Sequence, residues 1–386
     1  MRVLHVVPSL APSSGGPSLA LPAMAKALET EGVRIEIATT DDGGRGQHMP
    51  REKFGPATHV FRKQTEFYKV SLPLAHWLQQ HIRQFDLVHV HAVFSFASTA
   101  ACSVARRARV PYVVRPLGVL NQYGMTQRRA GIKAWSFRLL DKPLLNRAAA
   151  LHYTSSQEKN EAARLALQPP AYVIPLGLDF TPWQQQPQET TAFFRRFPDL
   201  QGRPIVLFLS RLDPKKGLEL LLEAFASLAQ RNSEAALVIV GGGEPDYVEK
   251  LKQQAEDQKL AGRVIWTGPL EGEMKLSCLA AAQLFCLPSL SENFGIALLE
   301  AMAAGLACLA SPGVALAWDA AAKGGVRLLD RDPIQWAEAM QSLLANDGER
   351  NELGATARRV AQEDYSLPTM GASLKAMYGD ILSCPP

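Results

Sequence analysis

The feature that most constrains this chain is an alternation of short apolar runs with helix-period segments, broken once and then resumed. Apolar runs of strand length lie at residues 3–7, 33–38, 87–91, 112–115, 149–154 and 172–175. Helical periodicity fills 18–29, 95–108 and the stretch up to 167. Strands that alternate with helices bury both faces by forming a parallel sheet covered on each side. After Pro175 the pattern gives way to Gly177, Pro182 and a glutamine-rich run at 184–188, the composition of a connector. Apolar runs then return at 205–210, 236–240, 264–267, 284–287 and 307–310, with a helix at 218–230 and helical segments before the later runs. The expected fold is α/β, with two Rossmann-like doubly wound domains facing across a cleft. A length of 386 residues agrees with two cores better than one. From Pro333 onward no strand follows, so the terminal helix is expected to cross back to the first domain. The expected boundaries are 1–175 with 366–386 for one domain and 176–365 for the other.

Composition narrows the class. With 47% hydrophobic and 20% charged residues the chain is globular rather than disordered. No window approaches 18 uninterrupted apolar residues, and Pro8 stops the apolar start. Neither a membrane span nor a secretory signal is expected, which points to the cytoplasm. The five cysteines, Cys102, Cys278, Cys286, Cys308 and Cys384, are odd in number and lack metal spacing, so they read as reduced core thiols. The net charge of +4 hides an asymmetry: residues 1–180 carry 22 Lys/Arg against 12 Asp/Glu, and the remainder carries 19 against 25. The basic half either faces something anionic or is a soluble domain with a basic face.

Ligands of open parallel sheets bind beyond the carboxyl ends of the strands, and two motifs occupy that position. ENFGIALLE, residues 292–300, follows the apolar run 284–287 and a polar turn. Gly295 marks a tight start to a helix whose periodicity runs to Gly305, a C-cap residue. Glu292 then lies in the loop and Glu300 in the helix, within about 12 Å of rise at 1.5 Å per residue. Free N–H groups near Phe294, Gly295 and Ile296 would face an anion. The second motif, SRLDPKKG at 210–217, also sits between a strand and a helix. Its Arg211 and Lys216 can neutralise a diphosphate, the arginine as a fork and the lysine as a point charge.

With these residues in view, the chain resembles glycosyltransferase family 4, the retaining GT-B enzymes that include bacterial polysaccharide and glycolipid transferases. The resemblance also covers the Gly-Gly loop at 14–17, DLVHVH at 86–91, VIPLGLD at 173–179, VGGG at 240–243 and WTGPL at 266–270. It implies that Arg211 and Lys216 hold the donor diphosphate, Glu300 the ribose and Glu292 the transferred sugar. Asn293 belongs to the same loop. The backbone at Leu270 would meet the base, Gly15 and Gly16 would approach the phosphate closely, and His91 would lie over the sugar as a catalytic residue.

The function so implied is a retaining hexosyltransferase of polysaccharide or exopolysaccharide biosynthesis. Its partners would be a nucleotide diphosphate sugar donor, with UDP-glucose the first candidate and GDP-mannose open, and a saccharide or lipid-linked acceptor. Two departures stand out: Leu176 replaces the common asparagine of the linker motif, and SPGVALAW at 311–318 replaces the usual Gly-Gly-x-Glu turn.

No metal or other cofactor is expected. Asp330 and Asp332 form a DxD, but Pro333 after them marks a helix start that Asp332 would cap. A basic amphipathic stretch at 127–147, with Arg128, Arg129, Lys133, Arg138, Lys142 and Arg147 between apolar residues, suits either core packing or peripheral contact with an anionic membrane. No nucleic-acid module accompanies the charge. A nucleotide-sugar epimerase on the same fold is the alternative. A dinucleotide oxidoreductase is disfavoured because the first strand leads into a Pro/Ser loop without GxGxxG.

Overall fold

The structure, a computed structural model, describes residues 1–11, 16–41, 57–66, 68–121, 131, 135–184, 189–232 and 234–383. The chain forms two compact units, residues 1–178 with 366–386, and residues 179–365.

The first unit is a seven-stranded sheet with every neighbouring pair parallel. Its strands are β1 (Arg2–Val6), β2 (Arg34–Thr40), β3 (Ala57–Phe61), β4 (Leu87–His91), β5 (Tyr112–Arg115), β6 (Ala150–Tyr153) and β7 (Ala171–Val173). The order β3-β2-β1-β4-β5-β6-β7 reverses direction between β1 and β4. Strand side chains alternate between faces, and the core splits accordingly. Leu4, Val6, Val88, Val90 and Val114 share one apolar cluster with Leu74 and Leu78 of the helix Leu72–His81 and Ala101 of the helix Phe96–Ala108. Val3, Ile35, Ile37, Leu87 and Val113 share the other with Leu21, Met24 and Leu28 of the helix Gly16–Thr30. Met370, Leu374 and Met377 of the terminal helix Leu367–Ser383 complete that second layer, so the chain does return to its first unit.

The second unit is a six-stranded parallel sheet of β8 (Ile205–Leu209), β9 (Ala236–Val240), β10 (Val264–Gly268), β11 (Leu284–Leu287), β12 (Ala307–Ala310) and β13 (Arg327–Leu328). Its order β10-β9-β8-β11-β12-β13 reverses between β8 and β11. The helix Leu218–Arg231 buries Leu218, Leu221, Leu222, Phe225 and Leu228, the i, i+3, i+4, i+7 stripe of a core-facing helix. The helix Pro333–Ala345 packs on it, and the Asp332 side chain accepts from the Ile334 amide at 3.0 Å as its N-cap.

Two strands lie outside the expected set. β3 is only partly buried and has no apolar run, and β13 is two residues long. Pairing with a neighbour rather than hydrophobic periodicity makes them strands. Cys102, Cys278, Cys286 and Cys308 are buried free thiols, and Cys384 lies outside the described residues. Among the described residues no helix is long and apolar enough to cross a membrane.

Candidate active site

In the second unit, adjacency of β8 and β11 brings the loop 210–217 against the loop 288–295 at the point where strand order reverses, the position at which open α/β sheets bind ligands. The loops are tied by backbone. The Leu290 N–H donates to the Lys215 carbonyl at 2.7 Å, and the Leu212 N–H donates to the Gly242 carbonyl at 2.8 Å. Gly241, at φ +143°, lies so close to Ser210 that a Cβ would overlap the Ser210 carbonyl oxygen. The glycine run after β9 is thus required for the β8 loop to take its path.

Within loop 210–217, Asp213 caps a 3₁₀ turn, Pro214–Lys216, by accepting from the Lys215 amide at 3.1 Å. The turn directs Lys216 inward, where its side chain is 7% exposed and its ammonium pairs with the Glu292 carboxylate. Burial and the neighbouring cations Lys215 and Arg211 press the Lys216 pKa down, to about 7. Asp213 nearby and the Glu292 carboxylate in contact with the ammonium favour the charged form. Arg211 is exposed and has no ion pair with any described residue, which leaves one uncompensated guanidinium at the mouth of the site.

Glu292 is fixed by its backbone on both sides. Its N–H donates to the Gly313 carbonyl at 2.8 Å and its carbonyl accepts from the Ala315 amide at 3.2 Å. The 311–318 segment that departs from the family pattern is therefore the segment that positions Glu292. Phe294 is buried, with its ring set edge-on to Tyr365 at 6.1 Å. Gly295, at φ +104°, turns the chain into the helix Ile296–Ala303. The first amides of that helix have no intrahelical acceptor and point out of its start. Asn293 lies in the same turn, its Oδ1 buried without a partner among the described residues. Glu300, one turn further, is 9% exposed, and its Oε1 accepts from the Lys275 ammonium at 2.7 Å. The pattern of residues 292–300 does not reveal Lys275, whose helix, Gly272–Ala281, comes from another part of the sequence. Leu270, just after β10, is buried by its side chain.

The expected N-terminal residues fare differently. Gly15 lies outside the described residues, and Gly16 is the first residue of the helix Gly16–Thr30. His91, expected to lie over the sugar, is 1% exposed, and its Nδ1 has no partner among the described residues. The ring belongs to a buried polar cluster on the sheet face beneath the terminal helix. His5 Nδ1 and His91 Nε2 share a hydrogen bond at 2.9 Å, and the two rings stack. A second chain has a defined direction. The Ile174 carbonyl can only accept, so His152 Nε2–H donates to it at 2.8 Å; His152 Nδ1 then accepts from His89 Nε2–H at 3.2 Å. His89 Nδ1 in turn accepts from the Tyr378 hydroxyl at 2.7 Å.

His5, His89 and His91 bring their ring nitrogens within 4.8 Å of one another, a spacing that invites a metal. The donor set does not fit one. Both His89 nitrogens are engaged, and Arg115, the cross-strand neighbour of His91, is a buried cation. The stretch 127–147 is likewise divided. Phe137 and Leu145 are core, while Trp135, Leu139 and Leu140 are exposed; Arg128, Arg129 and Lys133 lie outside the described residues.

Two family models match the chain, "Glycosyl transferase 4-like domain" over residues 15–177 and "Glycosyl transferases group 1" over residues 190–360. A phosphatidyl-myo-inositol mannosyltransferase of Mycobacterium tuberculosis is 30% identical over 81% of this chain and 78% of its own length. The chain belongs to glycosyltransferase family 4. A D-inositol 3-phosphate glycosyltransferase of Corynebacterium diphtheriae is 24% identical over 98% of this chain and 94% of its own. Among solved structures, Anabaena HepE in complex with UDP superposes with a TM-score of 0.82 at 20% identity, covering 98% of this chain and 100% of that one. That likeness supports the fold alone: this glycosyltransferase has the two Rossmann-like units of the GT-B type.

Proposed function

We propose that this glycosyltransferase moves a hexose from a nucleoside diphosphate sugar to a saccharide or lipid-linked acceptor in polysaccharide or glycolipid assembly, with retention at the anomeric carbon and without a metal. The observation that carries the reading is the convergence of Arg211, Lys216, Glu292 and the start of the helix Ile296–Ala303 at the switch point of one sheet. Arg211 and Lys216 have the charge to hold a diphosphate, and the helix amides add donors for it. These groups stabilise the charge that grows on the leaving phosphate. The departing phosphate oxygen then takes the acceptor's proton, so no side-chain base is needed. Glu292 orients the sugar hydroxyls and Glu300 accepts from the ribose diol, with the base beside Leu270.

The same cations make a divalent metal unnecessary, and the one DxD is otherwise engaged. Asp332 caps a helix and Arg331 bonds the Pro288 carbonyl. On the donor, relatives include mycobacterial enzymes described as GDP-mannose-dependent, whereas HepE was solved with UDP and glucose. UDP-glucose remains the first candidate and GDP-mannose the second. A cytoplasmic setting at the inner membrane face fits the exposed Trp135, Leu139 and Leu140 beside Arg138 and Lys142. Flotation with anionic against neutral vesicles tests that contact.

A melting-point screen against UDP, GDP and their hexose conjugates tests the donor reading, since a ligand of the folded state raises the transition. The matching conjugate should raise it, and EDTA should leave the shift and the turnover unchanged. No response to any nucleotide would remove the donor assignment. Product NMR with an acceptor mixture should show the donor's anomeric configuration kept.

A further inference from the structure

We infer that Lys275 is a positioning residue for donor recognition, holding the Glu300 carboxylate in the one orientation that reads the ribose diol; this rests on the donor reading above. The Lys275 ammonium donates to Glu300 Oε1 at 2.7 Å from a neighbouring helix, Gly272–Ala281. Neither side chain makes another hydrogen bond or ion pair with a described residue, so each is the other's partner. Their exposures differ in the direction this role needs. The Glu300 side chain is 12% exposed and that of Lys275 26%, so the carboxylate is held inward and the ammonium closes over one of its oxygens.

The helix bearing Glu300 is otherwise apolar on its buried side, with Leu298, Leu299, Ala301 and Met302 at 1% exposure or less. No polar side chain on that helix could orient the carboxylate, and an unpaired one would turn toward water. With Oε1 occupied, Oε2 is the oxygen available to a vicinal diol. Such a pair of hydroxyls requires an acceptor at a fixed place, since hydrogen bonds weaken steeply with misalignment.

The same arrangement sets the charge of the site. Lys216 neutralises Glu292, and Lys275 neutralises Glu300. Exposed Arg211 is left to meet the diphosphate. Removing Lys275 would both release Glu300 and expose its charge to the donor's phosphates. A phosphate contact by Lys275 itself is a different role, and it predicts a loss that ignores the ribose.

The test compares nucleotide and protein variants in one cycle. Calorimetry would measure UDP and GDP, each with its 2′,3′-dideoxy analogue, against wild-type enzyme and the variants Lys275→Met and Lys275→Arg. Hydrogen bonds from the diol to a carboxylate should make the wild type prefer the ribose form by about tenfold to a hundredfold. Lys275→Met should reduce that preference to less than about threefold, while Lys275→Arg, which can still bond Oε1, should retain most of it. A preference unchanged in Lys275→Met would overturn the inference while leaving the donor reading intact. Equal weakening of both ribose and dideoxy forms would also overturn it, in favour of a phosphate contact. Failure of the wild type to bind either nucleotide would instead sink the donor reading itself. Circular dichroism and melting of each variant separate these outcomes from misfolding, and the arginine variant keeps the test valid if the methionine variant fails to fold.

Discussion

Acidification from pH 7.5 to 5.5 should unfold the first unit before the second, because four buried imidazoles must stay neutral in the native state. Burial, reinforced by the nearby Arg115 charge, lowers His5 and His152 from 6.5 to about 3. His89 and His91 are also pushed well below that value, by burial first and then chiefly by His91 on His89 and by His5 on His91. The groups facing them are Arg115 on β5 and Tyr378 on the terminal helix, and Arg115 in turn feels Glu158 on the helix Ser156–Ala162. A folded pKa below the unfolded one means that the unfolded chain binds more protons between the two values. Stability is therefore full above about pH 6.5 and falls as the pH drops toward 3. At pH 5.5 each imidazole costs about 1.4 kcal/mol relative to high pH, about 5–6 kcal/mol for the four. That is comparable with the whole stability of an ordinary domain, about 5–15 kcal/mol.

Burial raises the carboxyl pKa of Glu158, whose relief on protonation works in the opposite direction and trims the loss. Urea titrations followed by hydrogen-exchange mass spectrometry of β4 peptides, corrected for intrinsic exchange, would give the free energy for this unit alone. The slope against pH near 5.5 should correspond to uptake of roughly three to four protons on unfolding. His5→Gln should lower that uptake by about one proton, whatever it does to stability at pH 7.5. A pH-independent free energy, or an unchanged slope in His5→Gln, would refute the reasoning.

Other consequences can be checked directly. With the Lys216 pKa held down to about 7, wild-type nucleotide affinity should fall as pH rises from 6 to 8.5, whereas Lys216→Arg, which stays charged, should stay nearly flat, measured by calorimetry at each pH. Arg211→Ala should weaken UDP or GDP binding by about tenfold to a hundredfold, the worth of hydrogen bonds to a charged group, with little change in melting point because the side chain is exposed. Gly241→Ala forces a Cβ onto the Ser210 carbonyl at a φ that side chains rarely adopt, and should cost about 3 kcal/mol or more in urea unfolding. Asp332→Ala removes a helix cap, and should lower stability by about 1 kcal/mol without any metal-dependent change in turnover.

Much of this enzyme is legible in its residues taken in order. Short apolar runs between period-3.6 segments locate β1, β4, β8, β9 and β11, because strands buried on both faces are apolar throughout. The segment 292–300 declares its loop, its glycine turn at Gly295 and its helix. Asp332 reads as a cap because Asp followed by Pro has few other uses at a helix start. β3 and β13 escape such reading, since pairing with β2 and β12 defines them and their own composition does not.

What tertiary structure alone decided is which distant groups meet. Strand order sets β8 beside β11 and so joins Lys216 to Glu292, 76 positions apart in sequence, and helix packing joins Lys275 to Glu300. It also set His91 against His5, because β1 pairs in parallel with β4. A sequence pattern records how much of a side chain should be hidden. It does not record what hides it, because that depends on which strand becomes the neighbour, and pairing energies are shared among many residues rather than written at any one.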